Sequence, residues 1–457
     1  MSTANNPAAA PSAGYRVWVL AMLFIVYAFN FLDRQIISIL AIPIQEELGL
    51  SDRQLGLLGG IAFAALYSTL GVPIAWLADR TNRTWIITIS LTVWSGFTAV
   101  CGLAQNFWQL FLARVGVGVG EAGGVAPSYS LIADYFPSNS RARALAIYSL
   151  GIPIGSAFGV VAGAQIAGGN LGENLDWRAA FIIVGIAGIV IAPIFKLTLR
   201  EPERGGLDKK PEPPKTAEPR TLPGGAADEA KAAGGEPVAA PKAPGFFKVL
   251  GVLSKKPSFW FMVLGASCSS MMGYGVFFWI PSFFARSFEL GIIETGWLFG
   301  GILFVGGSLG IILGGVLGDL MGKGSKKMFA LVPAVAFFLT FPMYIAGTLA
   351  TTPVMAAALF VIPTGLGLAW LGPTLSAFQH LAPANMRSMA SAVFLLINNL
   401  LGIGVGVYVL GELSTLLTPT FGNEALRYSI MIGAGLYVVA GVLFLIASRT
   451  IENDWEK

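Results

Sequence analysis

The chain has 457 residues, of which 55% are hydrophobic and only 12% charged, with a mean hydropathy of +0.70. A water-soluble domain carries about twice that charged fraction, so the composition excludes a soluble globular protein and points to a polytopic membrane protein. The net charge of +4 arises from basic residues scattered through short loops, which excludes a nucleic-acid-binding face, and two cysteines in apolar runs (Cys101, Cys268) with a lone His380 exclude a disulfide framework and a histidine metal centre.

The first 14 residues read as a disordered N-terminus. The first apolar run, 15–43, is too long for a cleavable signal, has a weak basic flank in Arg16, and carries Asp33 and Arg34. Further runs of spanning length follow at 54–78, 84–104, 107–134, 142–169 and 178–199, completing a bundle of six over 15–199. Residues 200–245 then turn to Pro, Ala, Gly, Lys and Glu, as in "EPERGGLDKKPEPPKTAEPR". Such a stretch buries too little apolar area to order itself and is expected to be a mobile cytoplasmic linker. The next segment, "FFKVLGVLSKK", alternates bulky apolar residues with lysines and predicts a short interfacial helix that ends the linker at residue 256. Six more runs follow at 257–285, 294–318, 327–349, 353–381, 388–412 and 426–448, a second bundle over 257–449 with a tail at 450–457. The expected fold is an all-α membrane protein of twelve helices in two sets of six.

With the N-terminus cytoplasmic, the inside loops hold Arg80, Arg83, Arg141, Arg143, Lys323, Lys326, Lys327, Arg387 and the basic linker, against Arg53, Arg178, Arg286 and Arg427 outside. That bias puts both termini in the cytoplasm. The halves also repeat each other. "PSYSLIADYFPSNSRARALA" (127–146) aligns without a gap onto "PTLSAFQHLAPANMRSMASA" (373–392), and "AWLADRTNR" (75–83) lies over "GVLGDLMGK" (315–323), with Asp79 on Asp319. An internal duplication of six-helix units marks a secondary transporter with its site between the halves.

The "D-R-x-x-R/K" loop, the twelve helices and the central linker resemble the major facilitator superfamily over essentially the whole chain. Ala75 and Asn82 stand where the superfamily loop has glycines. Within the superfamily, "NFLDR" (30–34), "RVGVGVGEAGG" (114–124) and "DYFPSNSRARALAIYSLGIPIG" (134–155) are similar to the spinster family, whose members move lysophospholipids and sphingosine 1-phosphate. The resemblance implies alternating access. It makes Asp79 and Asp319 gate residues, with Arg83, Arg141 and Arg387 as the charges around them; the plainer alternative is topological anchoring by loop charges.

Gly118, Gly120 and Gly123 spell the dinucleotide fingerprint, but that motif needs a strand before it and a helix starting at its glycines. "GDLMGKGS" (318–325) only imitates a phosphate loop, so no nucleotide site or other cofactor is expected and transport is expected to draw on gradients. Gly116, Gly120 and Gly124 instead form a stripe for close helix packing. The charges in the same run are costlier, at about 2.5–3.5 kcal/mol each near the bilayer centre on insertion scales. Arg114 and Glu121, seven residues apart, share a helix face with roughly 10 Å of rise between them. With Asp33 and Arg34 of helix 1 they make a neutral set of two acids and two bases, or else a buried ion network that only orders the bundle.

The second half has no such set: Gly367 and Phe360 stand where Glu121 and Arg114 do in the repeat. Helix 7 offers "SCSSMMGYGVFFWIPSFF", with Tyr274 and with Gly273 and Gly275 permitting a bend; helix 10 offers Trp370 and helix 11 Asn398 and Asn399. A charged half facing an apolar half suits an amphipathic solute. The expected function is a proton-coupled secondary transporter, not an enzyme, for a lysolipid or sphingoid phosphate. Asp33 and Glu121 would take protons; Arg34, Arg114, Asn30, Tyr274, Trp370, Asn398 and Asn399 would bind substrate. Expected partners are the lipid-like substrate, protons and membrane lipids, for a monomer in a bacterial inner membrane. A carrier of a soluble organic anion or drug is the alternative within the class; a passive channel is disfavoured by the repeat.

Overall fold

A computed structural model describes residues 12–172, 174–205, 246–321, 325–383 and 386–456. Linker residues 206–245, Lys323 and the side chain of Asp319 lie outside the described residues. Among the described residues every regular element is helical. In the first half, helix 1 is Ala13–Ile39, helix 2 Asp52–Gly59 with Ile61–Ala78, and helix 3 Arg83–Cys101. Helix 4 is Phe107–Glu121 with Val125–Tyr135, helix 5 Ser138–Ser149 with Gly151–Ala167, and helix 6 Trp177–Thr198. In the second, helix 7 is Pro257–Phe288, helix 8 Ile292–Met321, helix 9 Met328–Thr348, and helix 10 Pro353–Ala369 with Leu371–His380. Helix 11 runs through Arg387–Asn399, a π-helical Leu400–Val405 and Gly406–Phe421, and helix 12 is Ala425–Asp454.

Length and apolarity alone pick out 10 candidate spans, because helix 4 is divided and helices 11 and 12 fuse into one run of 66 residues. Polar caps start many of these helices: the side chains of Ser12, Ser51, Asn82, Asn106, Asp176 and Thr352 each accept from a backbone N–H of the first turn. The interruptions of helices 4, 10 and 11 fall at candidate site residues. Helix 4 breaks directly after Glu121, where Gly124 N donates to Glu121 O at 3.1 Å, and resumes at Val125. Helix 10 breaks at Trp370, and helix 11 turns π-helical directly after Asn399. Helix 7, by contrast, is continuous through Gly273 and Gly275, where the sequence suggested a bend. Gly275 serves close packing instead, since a Cβ there would stand 3.0 Å from Gly406 O of helix 11.

Helix 1 packs along helix 5 and helix 3 between helices 4 and 6; in the second half helix 12 packs on helices 7 and 9. The glycine stripe of helix 4 faces helix 3: a Cβ on Gly116 would strike the Phe97 ring, and one on Gly120 would strike the Trp94 backbone. Only glycines allow this approach. The halves meet along helices 5 and 8 and along helices 2 and 11. The segment after the linker is a helix, Phe246–Leu253, with Val249 and Leu253 buried against helix 11 and Phe247 exposed. Helix 12 extends past the expected tail boundary, because Asp454 accepts from Ser258 N at 2.9 Å and Ser258 Oγ at 2.6 Å, while Trp455 stacks on His380 at 4.8 Å.

Candidate functional site

Helix 1 brings Arg34 to helix 4, where its Nε donates to Glu121 Oε2 at 2.6 Å. Both side chains are buried, with 10% and 0% of their surface exposed, so this is a buried ion pair between helices 1 and 4. The Arg34 guanidinium lies over three rings of the first half, at 5.0 Å from Phe31, 4.8 Å from Phe63 and 4.4 Å from Tyr67. Such faces attract a desolvated cation. Tyr274 of helix 7, half-buried, is within electrostatic reach of the same guanidinium.

Asp33, although adjacent in sequence, faces elsewhere. Successive residues on a helix point about 100° apart, and Asp33 Oδ2 accepts from Thr98 Oγ1 of helix 3. Arg114 is buried at 1% exposure, 5.5 Å over the Phe63 ring, with Nε and Nη1 unpartnered. Among the described residues it has no ion pair, yet it lies near enough to both carboxylates to act on each through its charge. Asn30, 2% exposed, lies beside Glu121 with both amide atoms unpartnered. Glu121 Oε1 and Asp33 Oδ1 are unpartnered too. The arrangement is a buried cluster of one neutralised arginine, one arginine without an ion pair and two carboxylates, each with a free oxygen. Arg34 can exchange its carboxylate for an incoming anion, and Arg114 can take an anion directly.

The other candidates are dispersed. Asn398 accepts from Ser270 Oγ at 2.9 Å, tying helix 11 to helix 7, and Asn399 is half-buried at the start of the π segment. Trp370 sits at the break of helix 10, 5% exposed, with its ring 6.0 Å from Phe337 of helix 9; the structure places it in the packing of the second half and not with the charged set.

Residues 23–407 match the model of the Major Facilitator Superfamily. The chain belongs to that superfamily. It is therefore an integral membrane protein and a transporter. Within the superfamily it is similar to spinster proteins. Crystal structures of a bacterial homologue of the human lysosomal transporter spinster superpose with TM-scores of 0.81 (inward-facing, unoccupied; 31% identity) and 0.79 (inward-facing, occupied; 30% identity). Each match covers 98% of this chain and 100% of the other. An MFS-type efflux pump of Mycolicibacterium smegmatis is 29% identical over 96% of this chain and 94% of its own. Protein spinster homolog 1 of Xenopus tropicalis is 27% identical over 96% and 82% respectively.

Both faces of this superfamily member carry ion pairs. On the face away from the termini, ion pairs join the halves. Asp52 of helix 2 accepts from Arg286 of helix 7 at 2.6 and 2.7 Å, and also from Gln45 and Ser414, while Arg53 pairs with Glu412 of helix 11. Beneath these pairs helix 2 touches the π segment: a Cβ on Gly60 would stand 2.7 Å from Gly404 O. Sequence reasoning missed this seal, having counted Arg53 and Arg286 only as loop charges. The available signal was the Ser51–Gln54 capping box, which fixes Asp52 in a helix's first turn.

On the termini face, the ion pairs of Arg83, Lys256 and Lys327 each stay within one half. Arg83 is 1% exposed and binds Asp134, Ser130 and Glu201 of its own half; Arg141 Nη2 donates to Ala133 O at the end of helix 4. Asp79 is exposed, and its side chain makes no ion pair among the described residues. Its carbonyl instead accepts from Arg204, which also caps Ala78 O and Thr81 O. Arg204 thus sits on the helix-end carbonyls, where a cation complements the helix dipole. Arg387 is half-buried, at the start of helix 11.

Proposed function

We propose that this protein is a proton-coupled secondary transporter that moves an amphipathic anion, a lysolipid or sphingoid phosphate, by alternating access. The observation that carries the reading is the buried Arg34–Glu121 pair beside the unpaired Arg114. With Glu121 ionised, Arg34 is engaged and the set of Asp33, Arg34, Arg114 and Glu121 is neutral. Protonating Glu121 frees Arg34, leaves a net positive chamber, and draws in a phosphate head group. Asp33, held by Thr98, is the second proton acceptor. Tyr274 faces the head-group end from the second half, and the apolar helices 7 and 10 accept the hydrocarbon tail.

A buried arginine without a carboxylate is costly in a membrane, which favours a binding role over a structural one. The similarity to spinster proteins supports the same class of solute, and the positive-inside bias supports cytoplasmic termini in a bacterial inner membrane. In that orientation the cross-half pairs close the outer face, and the conformation is inward-facing. Asp79, Asp319, Arg141 and Arg387 are the charges of the inner gate. The similarity to the M. smegmatis efflux pump favours a second reading, export of a soluble organic anion or drug. Uptake of a labelled lysophospholipid into proteoliposomes, with and without excess soluble organic anion, separates the two. Competition by the soluble anion at similar concentration would overturn the lipid reading.

A further inference from the structure

Helices 1, 3, 4 and 5 line a small pocket beside the charged set. It is lined by Val26, Tyr27, Asn30, Trp94, Ser128 and Tyr148, together with the break of helix 4 at Gly124 and Val125. Its volume, about 10 Å³ for the centre of a water-sized sphere, is near what one water needs. The walls are not uniformly apolar. Trp94 is 1% exposed with Nε1 unpartnered, and Asn30 is 2% exposed with Oδ1 and Nδ2 both unpartnered. A buried indole N–H and a buried amide without partners each carry a desolvation cost. The cost falls on two residues of one pocket, and a molecule that both accepts and donates hydrogen bonds relieves it.

We propose that this pocket binds one ordered water, bridging Trp94 Nε1–H to Asn30, and that Trp94 thereby acts as a positioning residue for Glu121. The proposal rests on the reading of Glu121 as the proton carrier. Trp94 can only donate, whereas Asn30 presents either an N–H or an oxygen to Glu121 according to how its amide is turned. A water that accepts from Trp94 and donates to Asn30 Oδ1 leaves Nδ2 to donate to the free oxygen of ionised Glu121. Close packing holds the indole in place. Gly120 allows helix 4 onto the Trp94 backbone, and a Cβ on Gly124 would lie 3.6 Å from its ring.

Two measurements test this. A map of the full-length wild-type protein that resolves ordered solvent should show a peak within hydrogen-bond distance of Trp94 Nε1 and Asn30. A well-ordered pocket without that peak overturns the proposal. Separately, infrared difference spectroscopy should show a carboxylic-acid C=O band that titrates with pH and that Glu121→Gln removes. Trp94→Phe keeps an aromatic ring but deletes the donor, weakening the chain that favours the ionised carboxylate. The band's midpoint should move up by about half a unit to one unit, while Trp85→Phe, an exposed tryptophan of the same helix, leaves it in place. An unmoved midpoint in Trp94→Phe overturns the positioning role. If no band responds to Glu121→Gln, the proton-carrier reading fails, and the solvent map alone then decides the pocket.

Discussion

Arg286 of helix 7 donates from both terminal nitrogens to the two carboxylate oxygens of Asp52 in helix 2, at 2.7 and 2.6 Å, so one bidentate pair ties the halves together. Hydrogen bonds to charged groups contribute about 1.5–3 kcal/mol each, and breaking one leaves the partner charge unmatched. Asp52→Asn should therefore shift the population toward opening of that face by roughly 10- to 100-fold. Spin labels at the exposed positions Leu103 and Leu416 would report a longer distance. An unchanged distance distribution would show that the pair does not hold the seal.

The same seal has a steric component. A side chain at Gly60 would meet Gly404 O of helix 11, so Gly60→Leu should wedge the face open and move the same label pair apart. Gly71 in the same helix has no neighbour within 4 Å of its would-be Cβ, and Gly71→Leu should leave the distances as they are. Equal responses would mean that helix 2 is disturbed generally.

Arg114 should trade stability for binding. It is buried without a direct carboxylate partner, and an apolar side chain of similar length removes the desolvation cost of its charge. Arg114→Met should raise the thermal unfolding temperature of the purified protein while abolishing binding of a labelled lysophospholipid. Loss of stability together with binding would assign Arg114 to the scaffold.

On the termini face two neighbouring charges should behave differently. Arg83→Gln should destabilise the first half by about 3–5 kcal/mol, because it strands Asp134 and Glu201 beside a vacated site. Asp79→Asn should leave the unfolding temperature unchanged and act only on closure of that face, read from cysteine accessibility. A matching loss of stability in both variants would place Asp79 within the same clamp.

Much of this was legible in the chain. Helix-length apolar runs, the repeat and the cost of midplane charges lead to the fold and to Asp33, Arg34, Arg114 and Glu121 as residues needing an explanation. The divergence of Asp33 from Arg34 was legible as well, since neighbours on a helix cannot share a face. What the sequence hides is contact between distant segments. Nothing local distinguishes Trp370, packed on Phe337, from a cavity residue, or marks Asp52 and Arg286 as partners. Glycine is equally silent: Gly123 and Gly124 end a helix segment, whereas Gly275 lies in an unbroken one.

The central claim is that Glu121 exchanges Arg34 for a proton, and paired assays on Glu121→Gln in proteoliposomes test it most directly. The variant carries a permanently neutral side chain, so Arg34 stays free for the head group. Binding of a labelled lysophospholipid should be retained with its pH dependence lost. Uptake driven by a proton gradient should be lost as well, while exchange of internal for external substrate continues. Full gradient-driven uptake with an unchanged pH profile would contradict the claim and reduce the Arg34–Glu121 pair to a structural tie between helices 1 and 4.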